Sequence, residues 1–207
     1  MRQGKSSDDN GIQAEHFQTG PLILLIKLTS LFNFMLAHAS VPSQFRLGTI
    51  IPIIKDRNGN ASDVGNYRGI TISAMSSKVF EHVLKTVFAS FLNTSSYQYG
   101  FKGKSSTSHA LFSLRETINY YIDHGSRVYC SFLDASKAFD RLVHSGLFLK
   151  LMERGTPKRF LDILIMWYQE LRCRVKWDGH LGGWFEISAG VRQGGVLSPV
   201  MYNIYVD

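Results

Sequence analysis

Apolar positions recur at helical spacing through residues 21–37. Leu22, Leu25, Ile26, Leu28, Phe32, Met35 and Leu36 fall mostly on a 3.6-residue period, and Pro42 closes the region. The period then changes. Gly48-Thr49-Ile50-Ile51-Pro52-Ile53-Ile54-Lys55 is short and β-branched, as a strand is, while Pro52 has no N–H for a ladder and points to an edge or a bulge. Residues 56–66, with two glycines and three asparagines, read as a turn, and Ile70-Thr71-Ile72 as the returning strand. The pattern predicts a projecting hairpin with Lys55 near its tip and Arg68 at the start of the return.

Two helices follow. Residues 77–92 place Val79, Phe80, Val83, Leu84, Val87, Phe88 and Phe91 on one face, and residues 107–121 start after a Ser-rich cap. Both apolar faces are expected to build core. Val128-Tyr129-Cys130-Ser131-Phe132-Leu133 predicts a strand that ends at Asp134, and residues 146–154 and 157–171 predict two more helices. Residues 172–177, the Asp178-Gly179 turn and residues 184–187 predict a second hairpin. A bend with Gly190, Gly194 and Gly195 leads to a last helix from Pro199. No repeat and no long low-complexity run interrupts this succession.

Composition narrows the class. In 207 residues, 44% hydrophobic, 13% aromatic and 19% charged residues describe a packed globular chain rather than a disordered one. A formal net charge of +7 favours an anionic partner, and charge alone leaves nucleic acid and membrane both open. Cys130 and Cys173 are too few for a disulfide framework and lack zinc-site spacing, which fits a reduced intracellular setting. Residues 1–10 are polar, without the apolar core of a secretory signal, so secretion is not expected. Residues 21–37 contain Lys27, Thr29, Ser30 and Asn33 and fall short of roughly 20 apolar residues, so a helix packed on the protein is expected and no membrane partner. A membrane-associated basic protein is the rival on this point, and lipid-vesicle binding through that helix would reveal it. The sequons at Asn60 and Asn93 then carry no weight, because glycosylation requires a secreted context.

Several residues could carry chemistry. Asp134 sits where an apolar strand is expected to stop, a position that holds a carboxylate rigidly, as a hard-cation site needs; a turn or helix cap is the alternative reading. Asp140 reads as a cap or a partner for Arg141. Lys55 and Arg68 on the hairpin could clamp a triphosphate, the arginine by its fork and the lysine as a point charge, or stand as solvated surface cations. Gln193-Gly194-Gly195 could let backbone approach a ligand while the amide hydrogen-bonds, or serve as the loop leading into a helix. Tyr97-Gln98-Tyr99-Gly100-Phe101-Lys102-Gly103-Lys104 mixes aromatics with cations, as a base-stacking surface or an ordinary loop would. Gly103-Lys104-Ser105 mimics the end of a P-loop, but Gln98 stands where its first glycine belongs. The seven histidines have no metal-ligand spacing, and no G-x-S-x-G occurs.

The order of these elements is more specific than any one of them. Ile53-Ile54-Lys55, then Asn66-Tyr67-Arg68-Gly69-Ile70, Tyr99-Gly100-Phe101, Phe132-Leu133-Asp134 to Asp140, and Gly190-Val191-Arg192-Gln193-Gly194-Gly195-Val196-Leu197-Ser198-Pro199 resemble, in series, the reverse transcriptases of non-LTR retrotransposons. Asp9-Asn10-Gly11-Ile12-Gln13-Ala14-Glu15-His16 is similar to the extension before the fingers in that group, so the resemblance covers nearly the whole chain. It implies an α+β right-hand polymerase: an N-terminal extension and helix over 1–45, fingers over 46–126, and a partial palm over 127–207 whose antiparallel sheet packs on helices. Asp134 and the backbone carbonyl of Ala135 would be ligands to two Mg²⁺ ions; Lys55 and Arg68 would neutralise the triphosphate. Phe139 would exclude a ribose 2′-hydroxyl, and Gln193 and Gly194 would line the nucleotide pocket and touch the template. Lys102, Lys104, Arg172, Arg174 and Lys176 are candidate phosphate contacts. The implied partners are an RNA template, a DNA primer and deoxynucleoside triphosphates, met in the nucleus or cytoplasm.

This sequence departs from the pattern twice. Gly69 and Gly195 stand where many relatives carry proline, which should loosen two bends. The Ala-Asp-Asp motif that supplies the other catalytic carboxylates follows the last helix in this family, and Asp207 comes before it. The expectation is therefore an incomplete palm with an exposed apolar surface and a chain that does not polymerise DNA by itself. Its rival is a catalytically dead relic or basic nucleic-acid-binding module.

Overall fold

The computed structural model describes residues 3–207, and its first organising feature is a buried carboxylate. Asp8 accepts from the backbone N–H groups of Asn10, Ile12 and Met75 at 3.0, 2.9 and 2.8 Å, which folds the extension back onto the chain's interior. Helix α1 (Ala14–Gln18) follows, then α2 (Leu22–His38), which ends at Ala39 in left-handed backbone, and the short α3 (Ser43–Arg46). Helix α2 buries Phe32 and Met35 and leaves Leu22, Ile23 and Phe34 exposed. Among the described residues no helix is long and apolar enough to cross a membrane.

The predicted first hairpin forms. Strand β1 (Leu47–Ile54) pairs antiparallel with β2 (Tyr67–Ser73), with Pro52 opposite Gly69 and Ile53 opposite Arg68. Helix α4 (Met75–Val87) buries Phe80 and Leu84 as its periodicity requires, although Val87, assigned to the same face, is exposed. After α5 (Thr107–Asp123) come α6 (His144–Glu153) and α7 (Lys158–Tyr168). Strand β3 (Arg172–Trp177) turns through Asp178 and Gly179, both at positive φ, into β4 (His180–Leu181), and β5 (Phe185–Glu186) continues along β3. Helix α8 (Ser198–Val206) ends the chain.

The sheet runs β2-β1-β3-β4, with β5 also on β3. β1 and β3 are parallel, with Gly48 opposite Cys173 and Thr49 opposite Arg174. The strands within residues 127–207 pair antiparallel, β3 with β4 and with β5, and the whole sheet is mixed only through the ladder that joins β3 to β1. Parallel neighbours need a long crossover, and helices α4 to α7 supply it. One apolar cluster joins α2, α4, α6, α7 and α8; in it Phe80 lies against Phe32, Phe45 and Trp167 with ring centroids 4.9, 6.3 and 5.7 Å away.

Two further expectations fail for one reason. Residues 128–133 form no strand, and Tyr129, Phe132 and Leu133 are 85%, 78% and 99% exposed. Helix α5 contributes nothing to the core; Leu111, Phe112, Tyr120 and Ile122 face outward. Every strand of the sheet β2-β1-β3-β4, with β5 on β3, comes from outside residues 128–133, which have no ladder partner among the described residues. Apolar patterning makes a strand or a core helix only where something meets it.

Candidate active site

Backbone geometry sets the hairpin tip. Asx turns at Asp56, Asn60 and Asp63 fold residues 56–66, and the Asn66 side chain bonds both the N–H and the carbonyl of Asp56. Lys55 donates from Nζ to the Gly65 carbonyl at 2.8 Å, so its ammonium is held along the inner side of this loop. Tyr67 lies against Trp177 with centroids 5.0 Å apart and donates to the Ala61 carbonyl, tying the hairpin to β3.

Facing the hairpin is the bend that leads to α8. Gly190, at φ +87°, passes so near the backbone of Phe139 and Asp140 that a Cβ would come within 2.9 Å of both. Gly194, at φ +115°, leaves the same clearance to the Thr71 carbonyl. The Gln193 carbonyl accepts from Thr71 N–H at 2.7 Å and Phe139 O accepts from Val191 N–H at 2.9 Å, so the bend is wedged between β2 and the turn at 138–141. Gly195 donates its N–H to Arg192 O at 3.1 Å, a bond proline could not make.

Between these walls opens a cleft of about 740 Å³. It brings together Lys55, Arg68 and Gln193, separated by up to 138 positions in the sequence, and adds Lys137 and Asp140. Gln193 donates from Nε2 to Asp140 Oδ1 at 3.3 Å, which aims the amide across the cleft. Three cations against one carboxylate make it an anion-attracting cavity. Lys137 escaped the sequence reading. It sits at φ 51°, a conformation costing a non-glycine residue about 1 kcal/mol that tends to persist at functional sites.

Other candidates lie elsewhere. Asp134 and Ala135 are exposed on the segment without regular structure, and Gly194 is at the bend behind Gln193. The Phe139 ring packs between Phe101 and Tyr202, at 5.5 and 5.0 Å. Among the described residues, no three His, Cys, Asp or Glu side chains converge to hold a metal ion. Of the candidate phosphate contacts, Arg174 is committed to the fold: it pairs with Asp9 at 3.0 Å, donates to Thr49 and stacks on Trp184 at 4.7 Å. Lys102 donates to the carbonyls of Thr94 and Ser95, and Arg172 pairs with Glu186. Lys104 and Lys176 are exposed.

Beneath the bend lies a second polar cluster that sequence reasoning missed. Glu81 of α4 is 6% exposed, and its Oε2 accepts from the N–H groups of Val196 and of Leu197, the latter at 2.7 Å. Burial pushes its carboxyl above the usual range, while those amides, Arg192 and Lys78 pull it back. A lone Glu within an apolar helix face was the only available signal.

A family model described as reverse transcriptase (RNA-dependent DNA polymerase) matches residues 54–207. The chain is 30% identical over 191 residues to a probable RNA-directed DNA polymerase from transposon X-element of Drosophila melanogaster, covering 89% of this chain and 21% of that protein. It is 25% identical over 202 residues to the retrovirus-related Pol polyprotein from type-2 retrotransposable element R2DM of the same species, covering 98% and 19%. With the RNA-directed DNA polymerase from mobile element jockey it shares 26% over 184 residues, covering 87% and 20%. The chain spans about a fifth of the length of these relatives.

Proposed function

The chain belongs to the reverse transcriptase (RNA-dependent DNA polymerase) family, and from that premise we propose that its cleft binds the incoming deoxynucleoside triphosphate during RNA-templated DNA synthesis of the non-LTR retrotransposon kind. One observation carries the reading: Lys55, Arg68 and Gln193, each singled out from a different stretch of sequence, line one cationic cleft. In this reading the β1–β2 hairpin is the fingers element. Arg68 and Lys137, which donate to no acceptor among the described residues, take the phosphates, with Lys55 beside them. Gln193 and Gly194 bound the base and sugar, and Phe139, fixed between two aromatic rings, sets the steric limit beside the sugar. The Asp134 carboxylate and the Ala135 carbonyl would contribute ligands to a divalent-metal site, which would stabilise the charge that develops in nucleotidyl transfer. Template RNA and primer meet the remaining basic surface, in the nucleus or cytoplasm. The net charge of +7 also supports a narrower role for residues 1–207 by themselves, template binding without synthesis, whose affinity falls steeply with salt.

The test is primer extension by a protein that carries this domain and is competent for synthesis. Arg68→Ala is expected to raise KM for every deoxynucleotide by roughly 10- to 100-fold, the worth of a charge-assisted contact of about 1.5–3 kcal/mol. Phe139→Val is expected to admit ribonucleotides. Unchanged KM together with unchanged sugar selection would overturn the assignment of the cleft.

A further inference from the structure

The bend that presents Gln193 is fastened from below by charges that its own sequence does not reveal. Glu81 points into the core beside Phe80 and Leu84 and spends Oε2 on the Val196 and Leu197 amides, where α8 begins and N–H groups have no helical partner. Arg192, one residue before Gln193, is its counter-charge. Its Nη1 donates to the Phe45 carbonyl at 2.9 Å, while its buried Nε and Nη2 have no partner among the described residues. Both groups line a small cavity of about 20 Å³ with Tyr168 and Ser198, room for about one water molecule. The stretch from Arg192 to Leu197 is therefore pinned at three places: Arg192 at Phe45, the Gln193 backbone at Thr71, and the Val196 and Leu197 amides at Glu81.

We propose that Glu81 is a positioning residue: by holding the Val196 and Leu197 amides and balancing Arg192, it keeps the bend seated so that the Gln193 side chain faces the cleft. Without the carboxylate two buried amides lose an acceptor and a buried guanidinium loses its balance, and the bend can recover both only by moving toward water. The functional consequence rests on the nucleotide-cleft reading; the seating of the bend does not.

The experiment uses residues 1–207 with Glu81→Gln, which keeps the side chain's volume and one acceptor oxygen, and Glu153→Gln on the exposed side of α6 as control. Hydrogen exchange at Val196 and Leu197, the side-chain amide resonance of Gln193 and the affinity for dATP are measured on each. In a folded Glu81→Gln protein, exchange at the two amides is expected to quicken about tenfold, the Gln193 resonance to shift, and dATP affinity to weaken about tenfold, with the control unchanged. Wild-type exchange and an unmoved Gln193 resonance in the folded variant would overturn the proposal. If the wild-type chain does not bind dATP, the cleft reading fails, and exchange with the Gln193 resonance still decides the role of Glu81.

Discussion

Replacing Asp134 by alanine is expected to reduce RNA-templated primer extension about a thousandfold or more in any synthesis-competent protein that carries this domain, with template binding retained. Metal ions in nucleotidyl transfer contribute several kilocalories per mole of charge stabilisation, and losing a shared carboxylate forfeits most of it; each 1.36 kcal/mol is about tenfold in rate. Asp134 stands exposed. Extension that survives Asp134→Ala in the competent protein would remove Asp134 from the reaction.

Replacing Phe80 by alanine is expected to cost about 3–5 kcal/mol of stability, the range for deleting a fully buried aromatic ring and leaving a cavity. Phe80 is 0% exposed and sits at the meeting point of α2, α3, α4 and α7, against Phe32, Phe45 and Trp167. Its loss would also loosen the site. Phe45 gives its carbonyl to both Trp167 and Arg192, and Arg192 sits at the start of the bend that carries Gln193. Chemical denaturation of the variant beside Val87→Ala, an exposed position on the same helix, checks the assignment; equal costs at the two positions would contradict the core described above.

Local pattern carried far. The β1–β2 hairpin, with Lys55 and Arg68 where the alternation put them, and the positions of α2, α4, α6, α7 and α8 were legible because each matched its own period or turn chemistry. Lys55, Arg68 and Gln193 were each identified singly, but that they share a cleft depends on long-range packing. The failures share a cause. Residues 128–133 form a short, mostly apolar run that suits a strand, and residues 107–121 have an apolar face, yet whether either is used depends on a neighbour that local pattern cannot count. Lys137 was hidden by a left-handed turn on a residue that gives no sign of it, and Asp140 by looking like a simple cap. Arg174 looked like any strand cation until Asp9, distant in the chain, and Trp184, past the turn that follows β3, claimed its guanidinium.

The parallel ladder between β1 and β3 governs how the molecule assembles. Its two strands meet only after the chain has travelled from Ile54 to Arg172 through four helices, so the sheet's centre is a contact of very high sequence separation. The entropy of closing so long a loop must be met before the ladder stabilises anything, which makes this pairing a late and slow event in folding. Until it closes, β1 has only β2 beside it and Tyr67 has no Trp177 to rest on, so a nascent chain already carries its hairpin cations while the cavity between them does not yet exist.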